Sequence, residues 1–350
     1  MAGLSQASNV LLTKSRAMYG KRLTSQNIAD LLNCQTVSEV AAYLKNNTHY
    51  AYALRNIDDS TVHRGQLEAA LDELFQREIT ALSQYRVDAG EYMRTFVVYQ
   101  MQIREILKYL RLLAAGRASE YVFAMPKYAV RRDGFDPVRL AQAKDYHDFL
   151  RVISGTVFYK ILRGMSFTED GTFEYTMIEH ALYSYLFQYA ESVIQKHFHG
   201  RDKEDLLGLL GTRSELNSFL HIYRFKKYYS ACGEDMARSL VFDFHYKISK
   251  KTFDKMLRAE SADQVYEIFR SETVYGRELG DNGDAGIDQI VNRISYKRVS
   301  HLMRFSTNPT VAVFSYMLLS GIERRDIVTI IEGVRYRVLP DEIKSMITIA

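Results

Sequence analysis

A stretch of 23 residues near the N-terminus recurs near the C-terminus, and this internal repeat constrains the fold more than any other feature of the chain. The two copies, 32–54 and 257–279, align without a gap. Identical residues occupy five of the aligned positions: Leu32/Leu257, Val40/Val265, Thr48/Thr273, Tyr50/Tyr275 and Leu54/Leu279. A third and weaker copy, 145–162, lies between them once one residue is omitted. Internal periodicity of this kind indicates that one structural unit recurs along the chain.

Each copy has the pattern of a short pair of helices. Thr36 in the first copy and Ser261 in the last can each cap the N-terminus of a helix. Val40 and Leu44 then lie four residues apart on one helix face. Thr48 opens a second turn, whose Tyr and Leu are again four residues apart and pack back. The alternative, that any two short amphipathic helix pairs look alike, stays open from the sequence alone.

Long amphipathic helices follow the short pairs. Apolar residues recur with the helical period over 64–86, 91–115, 173–199, 285–304 and 309–333. Only four prolines and nineteen glycines occur, which favours long helices over a many-turned β-fold. The sequence therefore predicts an all-α protein, in which 97–99 and 334–339 are the possible strands.

The repeats also predict a division into domains. In the first two units a short helix pair is followed by a long helix, a break and a second long helix. The predicted units are 1–125, 126–235 and 236–350. The segment 123–144, which contains two prolines and the sequence RRDG, is the candidate linker between the first two. A length of 350 residues is compatible with two or three domains of ordinary size.

Composition bounds the class of protein. With 47% hydrophobic and 25% charged residues the chain is globular. A net charge of +4, spread along the chain, does not by itself demand nucleic acid or anionic lipid as a partner. Cys34 and Cys232 have no metal-ligand spacing and favour a reducing compartment. Neither a secretory signal nor an apolar run of about 20 residues is present, so we expect a cytoplasmic protein that meets a membrane only through another subunit.

Familiar enzyme motifs are missing from the sequence. It contains no G-x-x-x-x-G-K-[ST], H-E-x-x-H, C-x-x-C or G-x-S-x-G, and no G-x-G-x-x-G after a strand. His197 and His199 would point apart on a helix and could not easily share a metal ion. The acidic turn 281–286 begins like a calcium loop but lacks most of its ligands. The sequence therefore predicts no catalytic residue, no metal site and no cofactor, and an enzyme with an unfamiliar site is the least favoured reading.

The segment 223–229, with the sequence YRFKKYY, alternates basic and aromatic residues as proteins that bind single-stranded nucleic acids do. On a helix, one face of this segment packs and the other is solvated or meets an acidic partner. Arg224, Lys226 and Lys227 are accordingly the candidate partner-binding residues, and a protein partner is favoured over nucleic acid. A helical-repeat scaffold or an RNA-binding adaptor that uses the same patch is the alternative.

Three further stretches add to the repeats. They are KSRAMYGKRLTSQNIADLL (14–32), the related helix ends ILKYLRLLAAG (106–116) and FLHIYRFKKYY (219–229), and a closing segment at 308–343. In the closing segment the pattern is carried by Pro309, Tyr316, Ile327, Ile330 and Gly333. Taken together, these features resemble the C-subunit family of the V-type and archaeal-type rotary ATPases, whose eukaryotic member is known as the d subunit. The family's asparagine is replaced by Glu105 and Ser218, and its basic residue by Leu113.

The resemblance implies a fold and a role. The expected fold is three similar helical-hairpin domains in a pseudo-threefold, funnel-shaped arrangement. The expected role is that of a non-catalytic socket, which sits on the cytoplasmic mouth of the membrane rotor ring and holds the central stalk. Its partners would be the proteins of the stalk and the ring, with no nucleotide, small-molecule substrate or nucleic acid. The resemblance does not indicate whether the machine moves protons or sodium ions.

Overall fold

Helices make up the secondary structure of this protein. The computed structural model describes residues 2–83, 90–125, 135–165, 172–229, 234–242, 244–278 and 286–349. No β-strand occurs within these ranges, so the predicted all-α class is confirmed. Residues 97–99 lie inside a long helix, and 334–339 cover the end of another and the turn after it. Neither possible strand therefore forms.

Short and long helices alternate along the chain. In order they are α1 (Ala2–Tyr19), α2 (Ser25–Leu32), α3 (Val37–Asn47), α4 (Ala51–Leu54), α5 (Arg64–Ser83), α6 (Gly90–Ala114), α7 (Tyr121–Ala124), α8 (Pro137–Leu140), α9 (Tyr146–Val152), α10 (Val157–Leu162), α11 (Thr172–His197), α12 (Gly200–Tyr228), α13 (Glu234–Arg238), α14 (Lys250–Arg258), α15 (Ala262–Glu272), α16 (Ile287–Phe305), α17 (Pro309–Arg335) and α18 (Pro340–Met346). Two 3₁₀ turns, Ala118–Glu120 and Gly276–Glu278, complete the described elements. The predicted long helices match α5, α6, α11, α16 and α17 to within a few residues at each end.

The chain forms two compact units. The first comprises Met1–Gly90, His197–Val241 and His245–Ala350, and the second comprises Glu91–Lys196 and Phe242–Phe244. The three repeat-based units, 1–125, 126–235 and 236–350, stay a prediction. The candidate linker lies partly outside the described residues, because these stop at 125 and resume at 135.

Helix α17 is the centre of the first compact unit, and α1, α5 and α16 pack along it. Asn308 begins it by accepting hydrogen bonds from the backbone N–H of Thr310 at 2.7 Å and of Val311 at 3.2 Å. Pro309 occupies the first turn, where no donor is needed. Further along, its apolar side chains share one core with residues of α2, α3, α5 and α18. Burial on several sides suits a helix that is apolar around most of its circumference.

Aromatic side chains form much of the core of the second compact unit. Tyr99 on α6 lies with its ring centroid 5.6 Å from Phe158, 6.0 Å from Tyr185 and 5.3 Å from Tyr189. A second group joins Tyr109 to Tyr121 and Phe149, each at 5.7 Å. Edge-on, tilted and offset-stacked rings at these distances attract one another beyond the area that they bury. The short pair α9–α10 is thus fixed to α6 by rings.

The helix caps predicted from the repeats are present. Thr36 Oγ1 accepts a hydrogen bond from the N–H of Glu39 at 3.1 Å, and Ser261 Oγ accepts one from the N–H of Gln264 at 3.2 Å. The middle copy uses Asp145 in the same way. All three short pairs therefore start with a side chain that satisfies a free N–H of the first turn.

The threonine between the two short helices has the same bond in every copy. The hydroxyls of Thr48, Thr156 and Thr273 donate to the carbonyls of Leu44, Ile153 and Phe269 at 2.5, 2.8 and 2.6 Å. In the first and last copies the hydroxyl also accepts from the N–H of Tyr50 or Tyr275, at 3.2 and 3.3 Å. Such detail is not shared by arbitrary pairs of short helices, so the internal repeat is structural.

We expect Gly211→Ala to destabilise the protein and Gly321→Ala to stabilise it. A Cβ at Gly211 would lie 2.4 Å from Cβ of Tyr246, whereas a Cβ at Gly321 would meet nothing within 4 Å. Both glycines lie inside long helices, so only the first substitution overpacks, at a cost of about 1–3 kcal/mol, while the second gains about 1 kcal/mol of helix propensity. Thermal unfolding followed by circular dichroism checks this pair, and equal upward shifts in Tm would contradict the close approach at Gly211.

Candidate functional site

The three predicted partner-binding residues lie on the last turns of α12. Arg224 is half exposed and pairs with Asp288 in the first turn of α16. Lys227 is exposed, and its Nζ lies 5.8 Å and 5.7 Å from the ring centroids of Tyr223 and Tyr228. Neither Lys226 nor Lys227 forms an ion pair within the described parts of the chain. The charge of Arg224 is therefore already matched, whereas the two lysines carry charge that a partner could neutralise.

The two faces expected for 223–229 are observed. Phe225 is buried, with 3% of its surface exposed, while Tyr228 exposes 68% and Tyr229 42%. A large aromatic side chain with most of its surface in water suits a contact surface better than a core.

Long-range contacts set the directions of the long helices. Ser306 donates a hydrogen bond to Asp205 at 3.1 Å near one end of α12, and Arg224 meets Asp288 near the other, so α12 and α16 are antiparallel. Arg325 pairs across to Asn292, so α16 and α17 are antiparallel as well. Helices α12 and α17 are consequently parallel, and their C-terminal ends lie at the same end of the first compact unit.

The end of α17 repeats the character of the end of α12. Arg335, Tyr336 and Arg337 are exposed, with Tyr336 at 68%, and Leu339 exposes 71%. We call the set Lys226, Lys227, Tyr228, Arg335, Tyr336, Arg337 and Leu339 the basic-aromatic end. Basic residues at helix C-termini are also stabilised by the helix dipole, so their presence alone does not indicate a binding surface. The exposed aromatic and apolar side chains are the stronger indication of one. Sequence reasoning treated 334–339 as a possible strand and missed this contribution.

Glu215 on α12 is fully buried and attaches the last short helix pair. Its Oε2 accepts a hydrogen bond from the hydroxyl of Tyr275 at 2.7 Å. Its Oε1 accepts from three successive backbone N–H groups, those of Tyr246, Lys247 and Ile248, at 2.5–2.6 Å. Four donors compensate for the water that this carboxylate loses on burial.

Glu323 on α17 attaches the first short helix pair in a similar way. Its Oε1 accepts from the hydroxyl of Tyr50 at 2.8 Å, and its Oε2 accepts from the N–H of Leu23 at 2.9 Å. Burial raises the pKa of Glu323 to about 7, since two donors replace its hydration only in part. Burial also raises the pKa of the Tyr50 hydroxyl, and the neighbouring Glu323 carboxylate adds to that shift.

The contact that holds the middle short pair has neutral residues at both positions. Aligned on Arg111 and Arg224, the place of Glu215 is taken by Gln102, which is buried, and the place of the tyrosine is taken by Phe158. Phe158 instead packs its ring against Tyr99, one turn before Gln102. A phenyl ring has no hydroxyl to donate, so a buried carboxylate at 102 would lack this partner. The contact of the middle short pair therefore lacks both the carboxylate and the tyrosine hydroxyl that Glu215 and Tyr275 supply.

A narrow pocket beside Glu323 contains further polar groups. Tyr19, Arg22, His49, Tyr316 and Glu323 are among the residues that line it, and it has room for about one water molecule. Tyr316 donates a hydrogen bond to Glu78 at 2.6 Å. Burial raises the pKa of Glu78 and lowers the pKa of His49 to about 4.

Two sequence candidates and one acidic group found in the structure give no assigned metal site among the described residues. His197 ends α11 and His199 directly precedes α12, so the two histidines do not lie on one helix as the sequence analysis assumed. Apart from Gly286, the calcium-like turn 281–286 lies outside the described residues. Asp145, His147 and Asp148 lie close enough to hold an ion, but both carboxylates already serve the start of α9.

We expect Glu215→Ala to lower the free energy of unfolding by about 3 kcal/mol or more, because it removes the acceptor of three backbone N–H groups and the shorter hydrogen bond of the Tyr275 phenol. Glu204→Ala, an exposed change on the same helix, should cost less than about 1 kcal/mol. Urea unfolding of both variants and the parent chain measures the difference. Similar values for the two variants would mean that the buried carboxylate is not what attaches the short pair.

The residues that carry the family resemblance have clear structural roles. Pro309 lies in the first turn of α17, Tyr316 binds Glu78, and Ile327 and Ile330 are fully buried. A Cβ at Gly333 would lie 2.5 Å from the Ile343 side chain, so α18 requires this glycine in order to pack on α17. At the departing position, Glu105 accepts a hydrogen bond from Tyr121 at 2.8 Å.

Comparison with known proteins gives one family. Among the described residues, no helix is both long and apolar enough to cross a membrane. No curated protein compared with the chain matches it. The family model described as ATP synthase (C/AC39) subunit matches residues 11–346, which is nearly the whole chain. The chain therefore belongs to the C/AC39 subunit family of the V-type and archaeal-type rotary ATP synthases.

Proposed function

We propose that this chain is a non-catalytic central-rotor subunit of a V/A-type rotary ATPase, a socket that couples the central stalk to the membrane rotor ring. Family membership supports a place in such a complex. The observation that carries the finer proposal is the way in which the three repeats are joined. A coupling subunit must transmit torque without deforming. Its stiffness depends on the contacts between repeats, in which a short helix pair of one repeat packs on a long helix of another.

Each short helix pair packs on the second long helix of the preceding repeat. The last pair binds α12 through Tyr275 and Glu215, and the middle pair packs on α6 through Phe158 and Tyr99. The first pair has no preceding repeat, and it binds α17 of the last repeat through Tyr50 and Glu323. Cyclic connectivity of this kind supports three domains, 1–125, 126–235 and 236–350, in a closed pseudo-threefold funnel.

The basic-aromatic end is the surface proposed to bind a partner. Lys226, Lys227, Arg335 and Arg337 place positive charge beside exposed tyrosines, and such a surface complements an acidic helix. The acidic partner would belong to the stalk or the ring. Contact with the membrane would be indirect, through the complex at its cytoplasmic face, and no catalysis or cofactor is proposed for this chain.

Affinity purification tests the proposed function. Tagged protein is recovered from solubilised host membranes, and its companions are identified by mass spectrometry. Rotor-ring and central-stalk proteins are the expected companions. Recovery of RNA or unrelated proteins without any other part of the ATPase would contradict the proposal and favour the adaptor alternative.

Charge reversal at the basic-aromatic end should weaken the association. We expect Lys226→Glu with Lys227→Glu to reduce recovery of the other ATPase proteins at least tenfold at about 0.15 M salt, because like charges would then face each other. Arg201→Glu is the matched control, since this exposed residue lies at the opposite end of α12. Equal recovery with both variants would place the partner elsewhere.

A further inference from the structure

Several chain segments meet at the Glu323 carboxyl group. Leu23 follows α1, Tyr50 precedes α4, Glu78 belongs to α5, and Tyr316 and Glu323 belong to α17. We call these five residues the Glu323 cluster. Hydrogen bonds of 2.6–2.9 Å join Leu23 and Tyr50 to Glu323, and Tyr316 to Glu78. The cluster therefore fixes the chain between α1 and α2 to the central helix of the first compact unit.

The two buried carboxylates of the joints differ in how they are solvated. Glu215 accepts from four donors, three of them backbone N–H groups that come from consecutive residues. Glu323 accepts from two donors, although only 5% of its surface is exposed, and it also faces the carboxylate of Glu78. A buried carboxylate with few donors and a like charge nearby is more stable when it is protonated.

Among the described residues, several titratable or charged groups lie near this carboxyl on the surrounding segments. The groups are Tyr19 and Arg22 from α1 and the turn after it, His49 and Tyr50 from the first short pair, Glu78 from α5, Tyr296 from α16, and Tyr316 from α17 itself. The charge of Arg22 opposes the rise in the pKa of Glu323, and the charge of Lys21 acts on Glu78 and His49. His49 stays neutral above about pH 4, so it does not contribute near neutrality.

The pocket shows which segment would have to move. Its lining combines Met18, Tyr19 and Arg22 with residues from other segments, namely His49, Tyr296, Tyr316, Leu319, Ser320, Glu323 and Ile349. Fuller hydration of an ionised Glu323 requires part of this lining to move, and the segment 18–28 supplies three of the lining residues and the Leu23 N–H donor. Arg16 would still hold α1, because its guanidinium donates to the carbonyls of Met303, Arg304 and Ser306 at the end of α16.

We propose that the Glu323 cluster is a proton-dependent latch: the protonated carboxyl keeps the segment 18–28 docked on α17, and ionisation of the carboxyl releases that segment. The proposal concerns the isolated chain and does not depend on the partner proposed above.

The direction of the pH effect follows from the raised pKa. The pKa of Glu323 is about 7 in the folded chain and 4.5 for an ordinary glutamate. The docked form is therefore fully favoured below pH 4.5, and that advantage is lost as the pH rises to about 7. Between pH 6 and pH 8 the equilibrium constant for opening should rise roughly tenfold.

Hydrogen–deuterium exchange with mass spectrometry tests the latch in the full chain. Protection of the peptide 18–28 is measured from pH 6 to pH 8 and corrected for the pH dependence of chemical exchange. In the parent chain the opening constant should rise roughly tenfold with a midpoint near pH 7. In Glu323→Gln it should stay constant, because the amide oxygen still accepts from Leu23 N–H and the amide NH₂ donates to the Tyr50 oxygen.

A second variant keeps the test decisive if Glu323→Gln does not fold. The negative charge of Glu78 raises the pKa of Glu323. Glu78→Gln removes that charge, so the midpoint of the rise in the opening constant should move to lower pH. The peptide 246–256, beside the four-donor Glu215, is the internal reference. Three outcomes would each overturn the proposal. The protection of peptide 18–28 could be independent of pH in the parent chain, the opening constant could rise equally in Glu323→Gln, or it could rise equally in the reference peptide.

Discussion

The burial of a carboxylate against a tyrosine hydroxyl is the interaction on which the first compact unit depends. It occurs twice, between Tyr275 and Glu215 and between Tyr50 and Glu323. In each case it joins a short helix pair to a long helix that is distant in sequence. A buried carboxylate restricts geometry more than apolar packing does, because an unmatched donor or acceptor there costs about 1–3 kcal/mol. The two bonds thus fix position as well as contributing stability.

The two joints share a pattern but differ in their chemistry. Three backbone N–H groups surround Glu215, so its charge is solvated by the protein. Glu323 has fewer donors and faces Glu78, which makes its charge costly. Repetition of a structural unit therefore does not imply repetition of function. One joint is suited to permanent attachment, and the other is suited to respond to protons.

Much of the fold could be predicted because it is encoded locally. The caps at Thr36 and Ser261, and the threonines that link the short helices, depend on neighbours within a few residues. The long helices follow from apolar periodicity, and their ends were predicted to within a few residues. Of the candidate site, the sequence predicted Arg224, Lys226 and Lys227, and their role in binding a partner stays a prediction. The basic-aromatic end of α17 was missed, since its alternating pattern looked like a strand.

By itself the sequence determined the all-α class, the internal repeat and the resemblance to the rotary ATPase family. The tertiary structure decided which glutamates are buried, which tyrosines they bind and which helix ends lie together. Tyr50 and Glu323 are 273 residues apart, and Tyr275 and Glu215 are 60 apart. Their pairing depends on how whole helices pack, whereas a cap or an apolar period depends on residues a turn away. Local sequence patterns therefore predict the helices and their caps, whereas the packing of whole helices determines which buried glutamates and tyrosines bind each other.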